Sequence, residues 1–296
     1  MRVLRLVRLA LCLAGTSFAF DVTFRIFEAS ERTYTLSIDP DGEVTEQIDS
    51  FVRANPETQN GVDAIRESVE RRLLGIQLKE KVGLDEVCSN LITDIDAAVL
   101  HEYVNVSLST ARTQSSGAFL DDSKAMIYAE TGSYMGCSSI LMASMLPPGS
   151  LIYAHDLWVD VASGESLSED GLPPLNYTEV DNYFYRFYDN VRQRGLESTI
   201  IPIRGDSSFT LGLHQEESLT FGFIDGDHSY EGVTRDLTAM YPRIKPGGIL
   251  LLHDVMNTGD GIMNDAAKAM SDFCSLKDLE CEYHLAGTEI ARVYRS

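Results

Sequence analysis

Short apolar runs alternate with longer mixed segments after residue 120 of the 296-residue chain. Runs rich in β-branched, aromatic and aliphatic residues predict strands at 126–129, 151–154, 199–203, 221–224 and 249–252. Helix-length segments separate them, as at 136–146 and 230–243. This alternation predicts the α/β class, with a doubly wound parallel sheet and helices on both faces. Ligands bind beyond the carboxyl ends of such strands, so the residues that follow each strand form the candidate site.

The chain before residue 119 has a different pattern. Two β-rich runs at 22–27 and 33–38 precede a mostly helical stretch, in which Val62, Ile65 and Val69 fall on one apolar stripe. We therefore expect a small α+β and helical N-terminal module. The predicted boundaries are 1–19 for a leader, 20–118 for the module and 119–296 for the second domain. No residue of the module points to catalysis, and its expected role is packing or contact with a partner.

Residues 1–19 have the features of a secretory signal peptide. Three arginines, a short apolar run and no acidic residue precede Ser17-Phe18-Ala19, whose small residues suit cleavage before Phe20. The predicted location is therefore the secretory pathway, the cell exterior or a periplasm. A mitochondrial presequence is the alternative, because arginines at this spacing also suit an amphipathic helix, and a plastid address is a weaker one. No apolar run after the leader reaches the roughly 20 residues that span a bilayer.

The charge of the chain excludes several classes of partner. Its 24 Lys and Arg against 45 Asp and Glu give a formal net charge of −21. Nucleic acids and anionic membrane surfaces attract basic proteins, so we expect neither as a partner. A hydrophobic content of 44% is typical of a globular protein. We expect a neutral or cationic small molecule as the partner, and the sequence leaves a homodimer open.

Cysteines and glycosylation triplets agree with a secretory route without requiring it. Cys274 and Cys281 either form a disulfide in an oxidising compartment or remain free thiols, and the sequence favours neither. No cysteine spacing matches a zinc site. Asn105 and Asn176 open N-glycosylation triplets, which predict a glycoprotein if the chain enters a eukaryotic secretory pathway.

Polar residues follow every predicted strand of the second domain. After the first strand the chain runs Glu130-Thr131-Gly132-Ser133-Tyr134-Met135-Gly136, and after the others it has His155-Asp156, Gly205-Asp206, Asp225-Gly226-Asp227-His228 and His253-Asp254. Glycines after the first strand permit a tight turn and a close approach of a ligand to the backbone. An acid some twenty residues later can accept hydrogen bonds from ribose hydroxyls, and the acid after the third strand could accept one from an adenine amino group.

With these residues the chain resembles the class I S-adenosylmethionine-dependent methyltransferases, and within them the small-molecule O-methyltransferases. The strings 223–236 and 245–254 carry the resemblance, which covers about 120–296. It implies a Rossmann-like sheet of seven strands, the last of them antiparallel, and S-adenosylmethionine as the cofactor. Position by position, it assigns cofactor binding to Glu130, Gly132, Ser133, Gly136, Asp156, Asp206 and Asp225.

The resemblance also implies methyl transfer to a hydroxyl group of a small-molecule acceptor, assisted by a divalent metal. Related enzymes bind the metal through two aspartates and an asparagine. Asp225 and Asp254 match the aspartates, whereas Val255 stands at the asparagine position, and Asp227 or His228 could complete the site. Oxygen ligands favour Mg²⁺ or Ca²⁺ over Zn²⁺.

A hydroxyl acceptor needs a base or a metal, and the candidate catalytic residues are Asp225, His228 and His253. Two alternatives stay open at this stage. One is a secreted binding or scaffold protein with a silent methyltransferase fold, since the cofactor is made in the cytosol. The other is methyl transfer to nitrogen, to sulfur or to a protein. The aromatic segment 157–197 either lines a substrate pocket or packs on the sheet as a helix, through Tyr183 and Phe187.

Overall fold

The computed structural model describes residues 5–6, 20–25, 33–84, 88, 91–114, 125–158, 177–257, 262–285 and 288–295. The chain divides into two compact units, Met1–Gln77 and Leu78–Ser296. Most of the predicted leader and Asn176 lie outside the described residues, so cleavage, location and glycosylation stay predictions.

The N-terminal unit combines an antiparallel sheet with helices. Its strands β1 (Arg5–Leu6), β2 (Phe20–Arg25) and β3 (Thr33–Ile38) are hydrogen-bonded in that order, and β1 falls within the predicted leader. Helix α1 (Val44–Ala54), a 3₁₀ turn (Pro56–Gly61) and helix α2 (Val62–Lys81) follow. The buried core consists of Leu36, Ile38, Ile48, Val52, Ile65 and Val69. The apolar stripe predicted for α2 is therefore its buried face.

The second unit is built on a seven-stranded sheet, as predicted. Its strands are β4 (Ile127–Thr131), β5 (Leu151–Asp156), β6 (Ile200–Arg204), β7 (Leu219–Ile224), β8 (Ile244–Leu252), β9 (Cys281–Glu282) and β10 (Ala291–Tyr294). Their order is β6-β5-β4-β7-β8-β10-β9. The first five in this order are parallel, and β10 runs antiparallel to β8 and β9. Every residue of β7 is buried, as expected for the centre of a sheet covered on both faces.

The helices of this unit are α3 (Asp94–Gln114), α4 (Cys137–Ala143), α5 (Tyr177–Gln193), α6 (Ser207–Thr210), α7 (Tyr230–Met240) and α8 (Asp265–Lys277). Short 3₁₀ turns occupy Leu211–Leu213 and Tyr241–Arg243. Helices α7 and α8 share one buried cluster with β7, β8 and β10, which includes Leu237, Met270 and Val293. No helix among the described residues has the length and apolar character to cross a membrane.

The boundary between the units differs from the expected one. The units divide at Gln77/Leu78 instead of 118/119, so α3 belongs to the unit with the seven-stranded sheet. There α3 contacts β7, β8 and α4. Helix α3 continues beyond Thr110 and ends at Gln114, close to the boundary that the sequence predicted at 118/119. The helix therefore reaches the sheet whose strand ends form the candidate site.

Two disulfides lie in the second unit. Cys274 and Cys281 are bonded across the end of α8, with their Cα atoms 6.4 Å apart. A disulfide between them is one of the two states that the sequence left open. The second joins Cys88 to Cys137, with the Cα atoms 5.4 Å apart, and was not predicted. Cys137 is the first residue of α4. This bond therefore links the chain before α3 to the helix that follows the glycine-rich loop.

Candidate active site at the carboxyl ends of the strands

The glycine-rich loop between β4 and α4 leaves the carboxyl edge of the sheet. Gly132 and Gly136 have φ values of +79° and +81°, which glycine adopts without steric cost. A Cβ atom on Gly132 would lie 1.9 Å from the backbone oxygen of Asp225. Ser133 is buried within the loop, where its carbonyl accepts a hydrogen bond from the N–H of Gly136 at 2.6 Å. Only glycine at position 132 allows the ends of β4 and β7 to approach this closely.

Glu130 is a fully buried carboxyl group in β4. Its two oxygens accept hydrogen bonds from the hydroxyl groups of Ser138 and Ser139 in α4. Burial raises its pKa to about 7, although these hydrogen bonds act in the opposite direction. The side chain therefore joins β4 to α4 and fixes the two ends of the loop.

Two of the predicted acids lie where β5 and β6 end. The carboxylate of Asp156, at the end of β5, accepts hydrogen bonds from the N–H groups of Tyr134, at 2.7 Å, and Trp158. Each of its oxygens can accept a second hydrogen bond. Asp206, after β6, accepts from the N–H of Ser208 at 2.9 Å and caps α6. Asp156 thus lies beside the glycine-rich loop, and Asp206 has at least a role in starting a helix.

Two histidines and two aspartates meet where β7 and β8 end. Nδ1 of His253 lies 3.2 Å from Oδ1 of Asp225 and 3.4 Å from Oδ1 of Asp254. His228 contacts the same carboxylates, with Nε2 3.4 Å from Asp225 and Nδ1 3.1 Å from Asp254. The sequence predicted all four residues as candidates, and the structure brings them together. We call them the Asp–His cluster.

A fifth side chain reaches this cluster from α3 and was not predicted. Oδ2 of Asp96 lies 3.6 Å from Nε2 of His253, which is the ring nitrogen that faces away from the cluster's two carboxylates. Only 5% of Asp96 is exposed. The two residues are far apart in sequence, so no local pattern connects them. The one signal near Asp96 is Thr93, three residues earlier, and this spacing predicts a helix start and not a catalytic site.

The carboxylates favour the protonated form of both histidines. Burial lowers the pKa of His253, but Asp225, Asp254 and Asp96 together outweigh it, so the net shift is upward. The hydrogen bond with Asp225 also raises the pKa of His228. In return, the interaction with His253 lowers the pKa of Asp254. The charges of the cluster therefore compensate one another.

The cluster adds His253 to Asp225 and Asp254, the two metal ligands that the resemblance implied, in place of Asp227 or His228. Asp225, His253 and Asp254 each offer one ligand atom, and the three atoms lie within 4.8 Å of one another. Val255 is fully buried and supplies no ligand. Asp227 turns elsewhere, accepting a hydrogen bond from a backbone N–H before α7 and pairing with an arginine. Two carboxylates with one imidazole suit Mn²⁺, Fe²⁺, Ni²⁺ or Zn²⁺ better than Ca²⁺ or Mg²⁺.

The aromatic residues after β5 pack beside the glycine-rich loop. The ring of Trp158 is buried, and its centroid lies 4.9 Å from those of Phe184 and Phe187 on α5. Tyr183 packs on the loop residue Tyr134 at 5.0 Å. Helix α5 therefore packs through Phe187, which agrees with the expectation that this segment forms a packed helix. Tyr183 and Tyr134 are more exposed than Phe187.

The comparisons with known proteins concern this same region. A family described as a methyltransferase domain matches residues 129–255. The match runs from β4 to the end of β8 and contains every predicted site residue, whereas Asp96 precedes it. A search of curated proteins by sequence gives no match.

Several solved structures are similar in fold. One is a protein from Corynebacterium glutamicum, with 13% identity and a TM-score of 0.46 over 86% of this chain and 98% of that chain. A candidate O-methyltransferase from Klebsiella pneumoniae has 13% identity and a TM-score of 0.42 over 67% and 90%. The O-methyltransferase from Bacillus cereus in complex with S-adenosylhomocysteine has 15% identity and a TM-score of 0.41 over 74% and 100%. All three TM-scores are below 0.5.

Proposed function

We propose that this protein is a class I S-adenosylmethionine-dependent methyltransferase, which methylates a hydroxyl oxygen of a small molecule with the help of a divalent metal. The match of residues 129–255 to a methyltransferase domain family supports the methyl transfer. The observation that carries the proposal is the meeting of Asp225, Asp254, His228 and His253 at the strand ends. These are groups that can bind a metal and accept a proton, and they lie next to the loop that would hold the cofactor.

The residues at the carboxyl ends of β4 and β5 fit S-adenosylmethionine. Gly132 and Gly136 keep the loop free of side chains at the points where its backbone turns. Two backbone N–H groups hold the carboxylate of Asp156, which can accept further hydrogen bonds from the two ribose hydroxyl groups. The cofactor, when bound, supplies an activated methyl group, so this chain has to align donor and acceptor and remove one proton.

Asp225, His253 and Asp254 would hold the metal. A bound divalent ion would lower the pKa of a hydroxyl group and orient it. His228 is the candidate to take the proton, because 39% of its side chain is exposed. With Asp225 and Asp254 engaged by a metal, these carboxylates would no longer hold the imidazole in its protonated form, so a ring nitrogen could accept the proton. We expect His228→Asn to lower kcat by about 10²- to 10⁴-fold, the usual contribution of a general base. KM for the cofactor should stay near that of the wild type.

The aromatic residues beside the glycine-rich loop and the charge of the chain favour a neutral or cationic acceptor with an aromatic or other flat surface. Tyr134 and Tyr183 form an aromatic pair, and Tyr134 is 37% exposed. The chain carries a formal net charge of −21, which disfavours acidic acceptors. Phenolic compounds therefore come first in a search for the acceptor.

The location that we propose is the secretory pathway or the exterior of the cell. The predicted leader supports it, and so do the bonds Cys88–Cys137 and Cys274–Cys281, because disulfides persist in oxidising compartments and are rare in the cytosol. N-terminal sequencing of protein recovered from the source organism tests this. A mature chain that begins near Phe20 agrees with the proposal, and a chain that retains residues 1–19 contradicts it.

The reaction is tested with S-adenosylmethionine that carries a labelled methyl group and a panel of phenols, catechols and sugars. We expect label on an acceptor oxygen, loss of the activity with a chelator, and recovery with Mn²⁺. Activity that is indifferent to the chelator would contradict metal assistance. Label on nitrogen, on sulfur or on a protein would contradict the hydroxyl acceptor, and cofactor binding without turnover on any acceptor would favour a binding protein.

A further inference from the structure

The first turn of α3 forms a capping box around Asp96. The hydroxyl of Thr93 accepts a hydrogen bond from the N–H of Asp96 at 3.1 Å. In return, Oδ2 of Asp96 accepts from the N–H of Thr93 at 3.2 Å and from its hydroxyl at 2.5 Å. These reciprocal bonds fix the position of the carboxylate, since they hold both the backbone and the side chain of the first turn. They use neutral donors and leave the charge of Asp96 without a counterion within the turn.

The counterion that the described residues provide is His253. Asp96 is 5% exposed, and a buried carboxylate is costly unless it is paired. Its Oδ2 lies 3.6 Å from Nε2 of His253, a distance of ionic contact that is longer than a hydrogen bond. On the other side of the ring, Nδ1 is 3.2 Å from Asp225 and 3.4 Å from Asp254. The imidazole therefore lies between a carboxylate fixed on α3 and the two carboxylates of the Asp–His cluster.

We propose that Asp96 is a positioning residue of the active site, which holds His253 with Nε2 toward α3 and Nδ1 toward Asp225 and Asp254. The inference rests on the function proposed above, and it adds a helix that precedes the matched residues 129–255. A metal-binding histidine usually donates its second ring N–H to a carboxylate, which fixes the ring and the proton and makes the ligand nitrogen a better donor. Asp96 supplies that carboxylate, so α3 is part of the site.

A pair of variants separates positioning from helix capping. Asp96→Asn keeps an oxygen that accepts from the N–H of Thr93 but removes the charge that faces His253. Thr93→Ala removes the hydroxyl that caps the helix, but it keeps the charge of Asp96 and the backbone N–H of residue 93 that holds Oδ2. Mn²⁺ binding is measured by electron paramagnetic resonance on the full chain. We expect Asp96→Asn to weaken Mn²⁺ affinity by about 10- to 100-fold. Thr93→Ala should lower the melting temperature and change the affinity by less than about 2-fold. An equal loss of affinity in both variants, or none in Asp96→Asn, would overturn the inference.

A second measurement, on the metal-free protein, does not depend on metal binding. The ring ¹⁵N chemical shifts of His253 are recorded by long-range ¹H–¹⁵N correlation and assigned with His253→Asn. We expect them to move in Asp96→Asn and to stay in place in Thr93→Ala. If the wild type binds no Mn²⁺, the metal of the proposed function is wrong, and the ring shifts alone decide the inference. Shifts in Asp96→Asn that equal those of the wild type would then overturn it.

Discussion

The buried carboxyl group of Glu130 makes the stability of the protein depend on pH in a way that one substitution should remove. In the folded chain its pKa is raised to about 7 by burial, from an ordinary value of 4.5. Between these two values the folded state retains a proton that the unfolded state has lost. The stabilising contribution is therefore fully present below about pH 4.5 and is lost as the pH rises through 7. Glu130→Gln cannot ionise, so its stability should lack this component.

The size of the effect follows from the shift in pKa. A difference of one unit corresponds to about 1.4 kcal/mol, so a rise from 4.5 to about 7 gives a total of about 3 kcal/mol. Denaturation can be measured between pH 5 and pH 8, a range that lies above the pI of 4.5. Over this range the contribution of Glu130 to the unfolding free energy should fall by about 2 to 3 kcal/mol. The hydroxyl groups of Ser138 and Ser139 can still bond the amide of Gln, so the variant should fold.

The assay is urea denaturation of the cofactor-free protein at pH 5, 6, 7 and 8. We expect the unfolding free energy of Glu130→Gln, relative to the wild type, to rise by about 2 to 3 kcal/mol over this range. The matched control is Glu197→Gln, at an exposed position, which should follow the wild type at every pH. A difference between Glu130→Gln and the wild type that stays constant within about 0.5 kcal/mol would mean that Glu130 does not titrate with a raised pKa.

Further predictions concern the loop and its disulfide. Gly132→Ala puts a Cβ atom on a left-handed backbone, 1.9 Å from the backbone oxygen of Asp225. We expect the unfolding free energy in urea to fall by more than about 2 kcal/mol, and calorimetry to show no binding of the cofactor. Wild-type stability with normal binding would contradict the close approach of β4 and β7. Replacing both Cys88 and Cys137 by Ser opens a loop with a sequence separation of 49, which should lower the unfolding free energy by about 4 kcal/mol. Free-thiol titration of the unreduced protein should detect neither of these cysteines, and two reactive thiols there would contradict the bond.

The five parallel strands of the second unit could be predicted because each carries its own signal. Their apolar runs are bounded by polar or glycine-rich residues, and the strand ends in a parallel sheet are where such residues collect. For that reason Asp225 and Asp254 could be placed at one edge from sequence alone. The structure adds their distances to His253, which depend on the register of β7 and β8.

The contribution of α3 could not be predicted. Asp96 and His253 meet through tertiary packing, and the sequence near Asp96 signals only a helix start. The boundary at Gln77/Leu78 was missed for a related reason, because the end of α3 is rich in small polar residues that resemble a linker. The pairing of Cys88 with Cys137 also depends on packing, since the spacing of four cysteines allows several connectivities.

Cofactor binding at the strand ends is tested by isothermal titration of S-adenosylhomocysteine into the wild type and Asp156→Ala. The cofactor would lie against the glycine-rich loop and the carboxylate of Asp156, which two backbone N–H groups hold in position. We predict a single site with a dissociation constant on the order of micromolar in the wild type. Loss of a charge-assisted hydrogen bond should weaken binding by about 10-fold or more in Asp156→Ala. No heat with the wild type, or equal affinity in the two proteins, would mean that the cofactor does not bind at Asp156.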